Sequence, residues 1–108
     1  MCTTRVLAKS AHGIIFECPS CESIQVIFGT SKLAFKTIDF KIFIQEVNSK
    51  VQSNNFSTYP DEAKAILINH PDYAGFSLVL TPKELINLTN LLAEASLLKE
   101  AYHILNVS

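Results

Sequence analysis

The sequence predicts an α+β fold: an antiparallel sheet of about five to six strands, carrying one short and one long helix. The order along the chain is strands, helix, strands, helix. Three observations predict it. Apolar residues alternate at period two up to Lys36, the spacing then becomes helical after Thr37, and Thr81-Pro82-Lys83-Glu84 is a helix start.

The first strand is short, Arg5–Ala8, and turns back through Ser10–Gly13. In the second, Ile14, Phe16 and Cys18 fall on one side of a two-residue period, with Ile15 and Glu17 on the other. Ile24, Val26 and Phe28 repeat that pattern against Gln25 and Ile27. After the turn Gly29-Thr30-Ser31, Leu33 and Phe35 alternate with Ala34 and Lys36. On this reading Ile15, Ile27 and Val79 lie opposite the main core face.

Phe40, Ile44, Val47 and Val51 then recur at helical spacing. Thr37 and Asp39 stand where an N-cap and a first-turn acid belong, so a helix is expected over Ile38–Ser49. Gln52–Pro60 reads as a polar loop. Ala65–Asn69 reads as a strand, His70–Gly75 as a turn and Phe76–Leu80 as the return strand. Thr81 as N-cap, Pro82 at the first helical position and Glu84 three residues after Thr81 then open a long helix to His103.

Composition bounds the rest. A chain of 108 residues is the size of one domain, 1–108, and 48% apolar against 18% charged residues argues against disorder. Net charge is −1, and the nine Lys and Arg are scattered singly. Phosphate-backbone binding needs several cations on one surface, so nucleic acid is disfavoured as a partner. No run approaches a membrane span, and the start Met1-Cys2-Thr3-Thr4-Arg5 has no signal-peptide character. An odd number of cysteines argues against a disulfide framework. A cytoplasmic protein with reduced thiols is the expectation.

Cys18-Pro19-Ser20-Cys21 is the motif with chemistry in it. It lies between two strand patterns, at a hairpin tip. In thioredoxin-like oxidoreductases the first cysteine meets a helix N-terminus, which stabilises its thiolate; here a strand follows. A Cys-x-x-Cys turn between strands instead suits a structural zinc, which wants four ligands. Cys2, Cys18, Cys21 and His12 are the candidates, giving a Cys₃His set. Glu22 stands where such a turn usually has a small residue, and the alternative is two reduced cysteines in a Pro-containing turn.

Met1-Cys2, the Cys18-x-x-Cys21 pair, and Ile24-Gln25-Val26-Ile27-Phe28-Gly29-Thr30 running into Leu33-Ala34-Phe35 resemble a family of small uncharacterised bacterial proteins. The likeness covers residues 1–50 and brings no activity with it. It implies that Cys2 belongs with Cys18 and Cys21 as a set. Some relatives carry a histidine just after the pair, where this chain has Ser23.

Elsewhere, His70 and Asp72 flank Pro71 in a turn without any triad context. His103 stands near a helix C-terminus, where a cation is favoured. Leu88, Leu91, Ala95, Leu98, Tyr102 and Leu105 repeat at spacings of three and four, and Leu85, Ile86, Leu92, Leu97, Ala101 and Ile104 widen the stripe past what one sheet covers. A monomer rarely exposes a large apolar patch, so these residues predict self-association, most simply as a two-fold homodimer. The function expected is a non-enzymatic interaction or structural domain, with zinc as its one candidate cofactor. The alternatives are a thiol-dependent redox enzyme using Cys18 and Cys21, or a zinc-ribbon-like adaptor for nucleic acid.

Overall fold

The computed structural model describes residues 4–53, 66–71 and 75–105, without the side chains of Ser53 and His103. Four strands come first: β1 (Arg5–Ser10), β2 (Gly13–Cys18), β3 (Ser23–Phe28) and β4 (Ser31–Lys36). They form an antiparallel meander in the order β1-β2-β3-β4. Helix α1 (Thr37–Ser53) follows β4 directly; the hairpin β5 (Ile66–Asn69) and β6 (Ser77–Leu80) leads into α2 (Pro82–Leu105). The class is α+β, with the expected short and long helix and six strands. Those strands divide into a four-stranded and a two-stranded sheet.

Residues directly opposite each other share a face of an antiparallel sheet. Ile15 pairs with Val26 and Val26 with Leu33; Glu17 pairs with Ile24 and Ile24 with Phe35. All six are buried, so this is the helix-covered face. The expected orientation of β2 is therefore reversed: Ile15 and Glu17 face the core, while Ile14 and Phe16 are half-buried on the other side. A polar Glu17 on the inner face concealed the pattern. Ile27 and Val79 do lie off the core face, as expected. A bulge between Val6 and Ala8 lets both Leu7 and Ala8 be buried in β1.

The helices run side by side, α2 over β1 and β2, α1 over β3 and β4. Phe40, Phe43 and Val47 from α1 meet Leu85, Leu88, Leu91, Leu92 and Ala95 from α2 in one core. Phe35 anchors the α1 side, its ring centroid 4.7 Å from that of Phe43 and 6.0 Å from that of Phe40. α1 outlasts its expected end at Ser49 because Val51, one turn after Val47, still packs against the core.

The start of α2 is the capping box read from sequence. The Glu84 amide donates to Thr81 Oγ1 at 3.0 Å, and the Thr81 amide donates to Glu84 Oε1 at 2.9 Å. The hairpin is joined to the meander by a side chain: His70 is buried, its ring stacks on Phe35 at 4.5 Å, and Nε2 lies 3.0 Å from the Ala34 carbonyl oxygen. That contact occupies a carbonyl on the edge strand β4, where a fifth ladder strand would otherwise pair.

Gly13 marks a close approach. A Cβ there would overlap the Ile27 carbonyl oxygen and come within 3.1 Å of Phe28 Cα. Both are backbone atoms that cannot turn aside. Gly13→Ala should cost about 1–3 kcal/mol, read as a lower urea midpoint at unchanged slope.

Candidate functional site at one end of the sheet

The register gathers several chain segments at one end of the molecule. Cys18 closes β2 and pairs with Ser23; Ser23 pairs with Lys36, after which α1 begins at Thr37. Arg5 opens β1 at the same end, opposite Glu17. Its guanidinium lies 4.2 Å from the Tyr102 ring centre, which brings the last turns of α2 there as well. The same arginine donates from Nε to Glu17 Oε1 at 3.1 Å. Glu17 is thereby tolerated on the core face, since a buried carboxylate needs a charged and hydrogen-bonded partner.

The cysteine turn sits in the middle of this end. Pro19–Cys21 form a single turn of 3-10 helix, whose period sets residues three apart on one side. Cys18 is only 5% exposed, whereas Cys21 is exposed. Glu22 follows with φ 52° and ψ 40°, the one non-glycine with positive φ among the described residues. Its amide donates to the Pro19 carbonyl at 3.3 Å, and its own carbonyl accepts from the Thr37 amide at 3.1 Å. The Glu22 amide is thereby spent within the turn, and its carbonyl ties the turn to the start of α1. Cys18 and Cys21 are disulfide-bonded, so neither is a free thiol, in contrast to the reduced state expected from sequence. Cys21 is followed by strand β3.

The expected zinc set is redistributed. His12 lies in the turn before β2, where its amide donates to Ser10 Oγ and its carbonyl accepts from Gly29. That turn is at the opposite end of β2 from Cys18, roughly 20 Å away along an extended strand. Bonds of about 2 Å to one ion cannot bridge that gap, so His12 is not a fourth ligand to this pair. Cys2 and Asp72 lie outside the described residues, as does the side chain of His103. Among the described residues, no group of three or more His, Cys, Asp or Glu side chains is placed to hold a metal ion. His70, read from sequence as a polar turn residue, is instead a buried ring; the aromatics Phe35 and Phe76 that enclose it carried no signal linking them to it.

The predicted self-association stripe splits in two. Leu88, Leu91 and Leu92 are core residues and cannot reach a second molecule. Tyr102 is half-buried under Arg5. Leu98 and Leu105 are exposed, as are Leu97 at 72% and Ile104 at 63% from the widened stripe. Beside them, a groove of about 720 Å³ runs between the start of α1 and the end of α2. Its lining includes Ile38, Phe40 and Ile44 from α1 and Ser96, Lys99 and Glu100 from α2.

The model of a family of unknown function, DUF6686, matches residues 1–108, so the chain belongs to that family. No curated protein and no solved structure matches it.

The left-handed Glu22 yields a stability test. A side chain in that conformation costs about 1–2 kcal/mol, partly offset in a glycine variant by the extra entropy of its unfolded chain. Glu22→Gly should therefore raise unfolding free energy by about 0.5–1 kcal/mol, measured by urea denaturation under reducing conditions.

Proposed function

We propose that this member of the DUF6686 family is a non-enzymatic interaction domain that works as a two-fold homodimer. The observation that carries the reading is the overrun of α2. Its 24 residues span about 36 Å, whereas six-residue strands span about 20 Å. The fully buried positions of α2 run to Ala95, and among the described residues beyond it only the half-buried Tyr102 packs on the core, while Leu97, Leu98, Ile104 and Leu105 stand on the surface. Covering those four side chains would contribute on the order of 4–7 kcal/mol per copy before the entropy of association. Ile38, 70% exposed at the rim of the neighbouring groove, extends the patch toward the size of a stable interface. A two-fold contact must be self-complementary, and adjacent Lys99 and Glu100 offer both signs of charge.

The purified chain should have a native mass twice its 12.0 kDa at micromolar concentration. Leu97→Glu with Ile104→Glu should weaken dimerisation at least ~100-fold, since each puts a charge into an apolar contact. Both positions are exposed, so the secondary structure should be unchanged. A monomer at all accessible concentrations would overturn the reading.

A second reading rests on the cysteine turn: Cys18 and Cys21, with Cys2, hold a structural zinc as thiolates. Its support is the spacing on the turn: Cys18 and Cys21 lie three residues apart across a single 3-10 turn, with Cys21 exposed. The reduced chain should carry one molar equivalent of zinc, lost in Cys18→Ser with Cys21→Ser. Metal analysis by mass spectrometry, with and without chelator, checks this. Metal-free reduced protein that is fully folded would remove the zinc reading and leave the dimer.

A further inference from the structure

We infer that the Cys18–Cys21 disulfide is an exchange site and not a bond that holds the fold: it takes two electrons from a vicinal dithiol, with Cys21 the sulfur attacked and Cys18 the sulfur that leaves. This goes beyond both readings above and needs no metal. Three observations carry it. The first is that the bond duplicates a closure the backbone already makes. Cys18 and Cys21 are disulfide-bonded across a single turn, among the shortest loops a disulfide closes, and the stabilisation from such a bond grows with loop length. The same turn is closed by the Glu22 amide on the Pro19 carbonyl at 3.3 Å and by the pairing of Cys18 with Ser23. The Thr37 amide, 3.1 Å from the Glu22 carbonyl, fixes its far side. Opening the S–S bond leaves all three in place.

The second observation is access. Cys21 is exposed, whereas Cys18 is 5% exposed at the end of β2. A thiolate from solution therefore reaches Cys21, and displacement there expels Cys18; exposed disulfides are the exchangeable ones. The third is a hydroxyl beside the leaving sulfur, with Ser20 Oγ 3.6 Å from Cys18 Sγ. A Cys18 thiolate has no proton to give, so the hydroxyl becomes the donor, and a hydrogen bond to a charged acceptor is the stronger kind. Stabilising the leaving thiolate speeds exchange.

The chemistry balances with the dithiol as the two-electron reductant. Its first thiolate attacks Cys21 Sγ; the Cys18–Cys21 bond breaks and Cys18 leaves with the electron pair. Its second thiolate attacks the dithiol sulfur of the mixed disulfide, and Cys21 leaves in turn. The dithiol ends as a disulfide, and the two protons it gave up are matched by those the cysteines take.

The experiment uses the full-length chain with Cys2→Ser, which leaves Cys18 and Cys21 as its only cysteines, in a chelator throughout. The oxidised chain is treated briefly with reduced glutathione, quenched with an alkylating agent and mapped by tandem mass spectrometry. Glutathione should lie on Cys21 and the alkyl group on Cys18. Dithiothreitol should add two hydrogens to the chain and leave its circular dichroism unchanged, and Ser20→Ala should slow that reduction several-fold. Glutathione on Cys18, or equally on both, overturns the direction of attack. A Ser20→Ala chain reduced at the native rate overturns the part given to that hydroxyl. A pair that dithiothreitol leaves intact, or a chain that unfolds on reduction, overturns the exchange site itself.

Discussion

The constraint on which the structure turns is the mismatch in length between its second helix and the strands beneath it. Strands of six residues can offer a helix about four turns of support, and α2 has nearly seven. Its N-terminal end is fixed by the Thr81–Glu84 box, so the surplus length falls at the C-terminal end. The buried positions Leu85, Leu88, Leu91, Leu92 and Ala95 belong to the supported turns; the exposed Leu97, Leu98, Ile104 and Leu105 belong to the unsupported ones, and Ile86 is exposed on the outer face near the start. What an apolar helix does past the end of its sheet is a question about solvent. Exposed apolar area favours any contact that removes it from water.

The overrun is held in place by one charged cluster. Arg5 is shared between Glu17 and the Tyr102 ring, so β1, β2 and the penultimate turn of α2 meet at a single guanidinium. Arginine suits this because its planar group can hydrogen-bond in its own plane while an aromatic ring covers its face. The same cluster explains the odd burial of β2. A glutamate on the inner face is admissible only where its partner comes from the neighbouring strand, and the bulge at Val6/Ala8 lies just beyond that partner.

Much of the architecture was legible in the chain, for identifiable reasons. Ile24, Val26 and Phe28 alternate with less buried residues, and their burial follows from the period. The capping box at Thr81 is a local interaction between residues three apart, so its sequence signature and its geometry coincide. Where reading failed, the determinant was distant. The face of β2 depends on Arg5, twelve residues from Glu17, and the setting of His70 depends on Phe35 and the Ala34 carbonyl, the latter 36 residues back along the chain. In the helix stripe the leucines are alike by composition. Only the length of the sheet sorts Leu91 into the core and Leu98 onto the surface. The proposed metal set failed at His12 for a related reason: a turn before a strand and a turn after it lie at opposite ends of that strand.

The same geometry bears on how the cysteine turn and the helix patch relate. They are far apart in sequence but share one end of the molecule, with α1 between them. The Glu22 carbonyl accepts from Thr37, the first residue of α1, and the next residue, Ile38, lines the groove beside the exposed end of α2. The turn and the helix start that borders the apolar patch are therefore joined by a backbone hydrogen bond. That bond is short in sequence terms for neither partner, since it joins β3's leading turn to the far end of β4. It exists because β3 and β4 pair in register from Phe28 with Ser31 to Ser23 with Lys36.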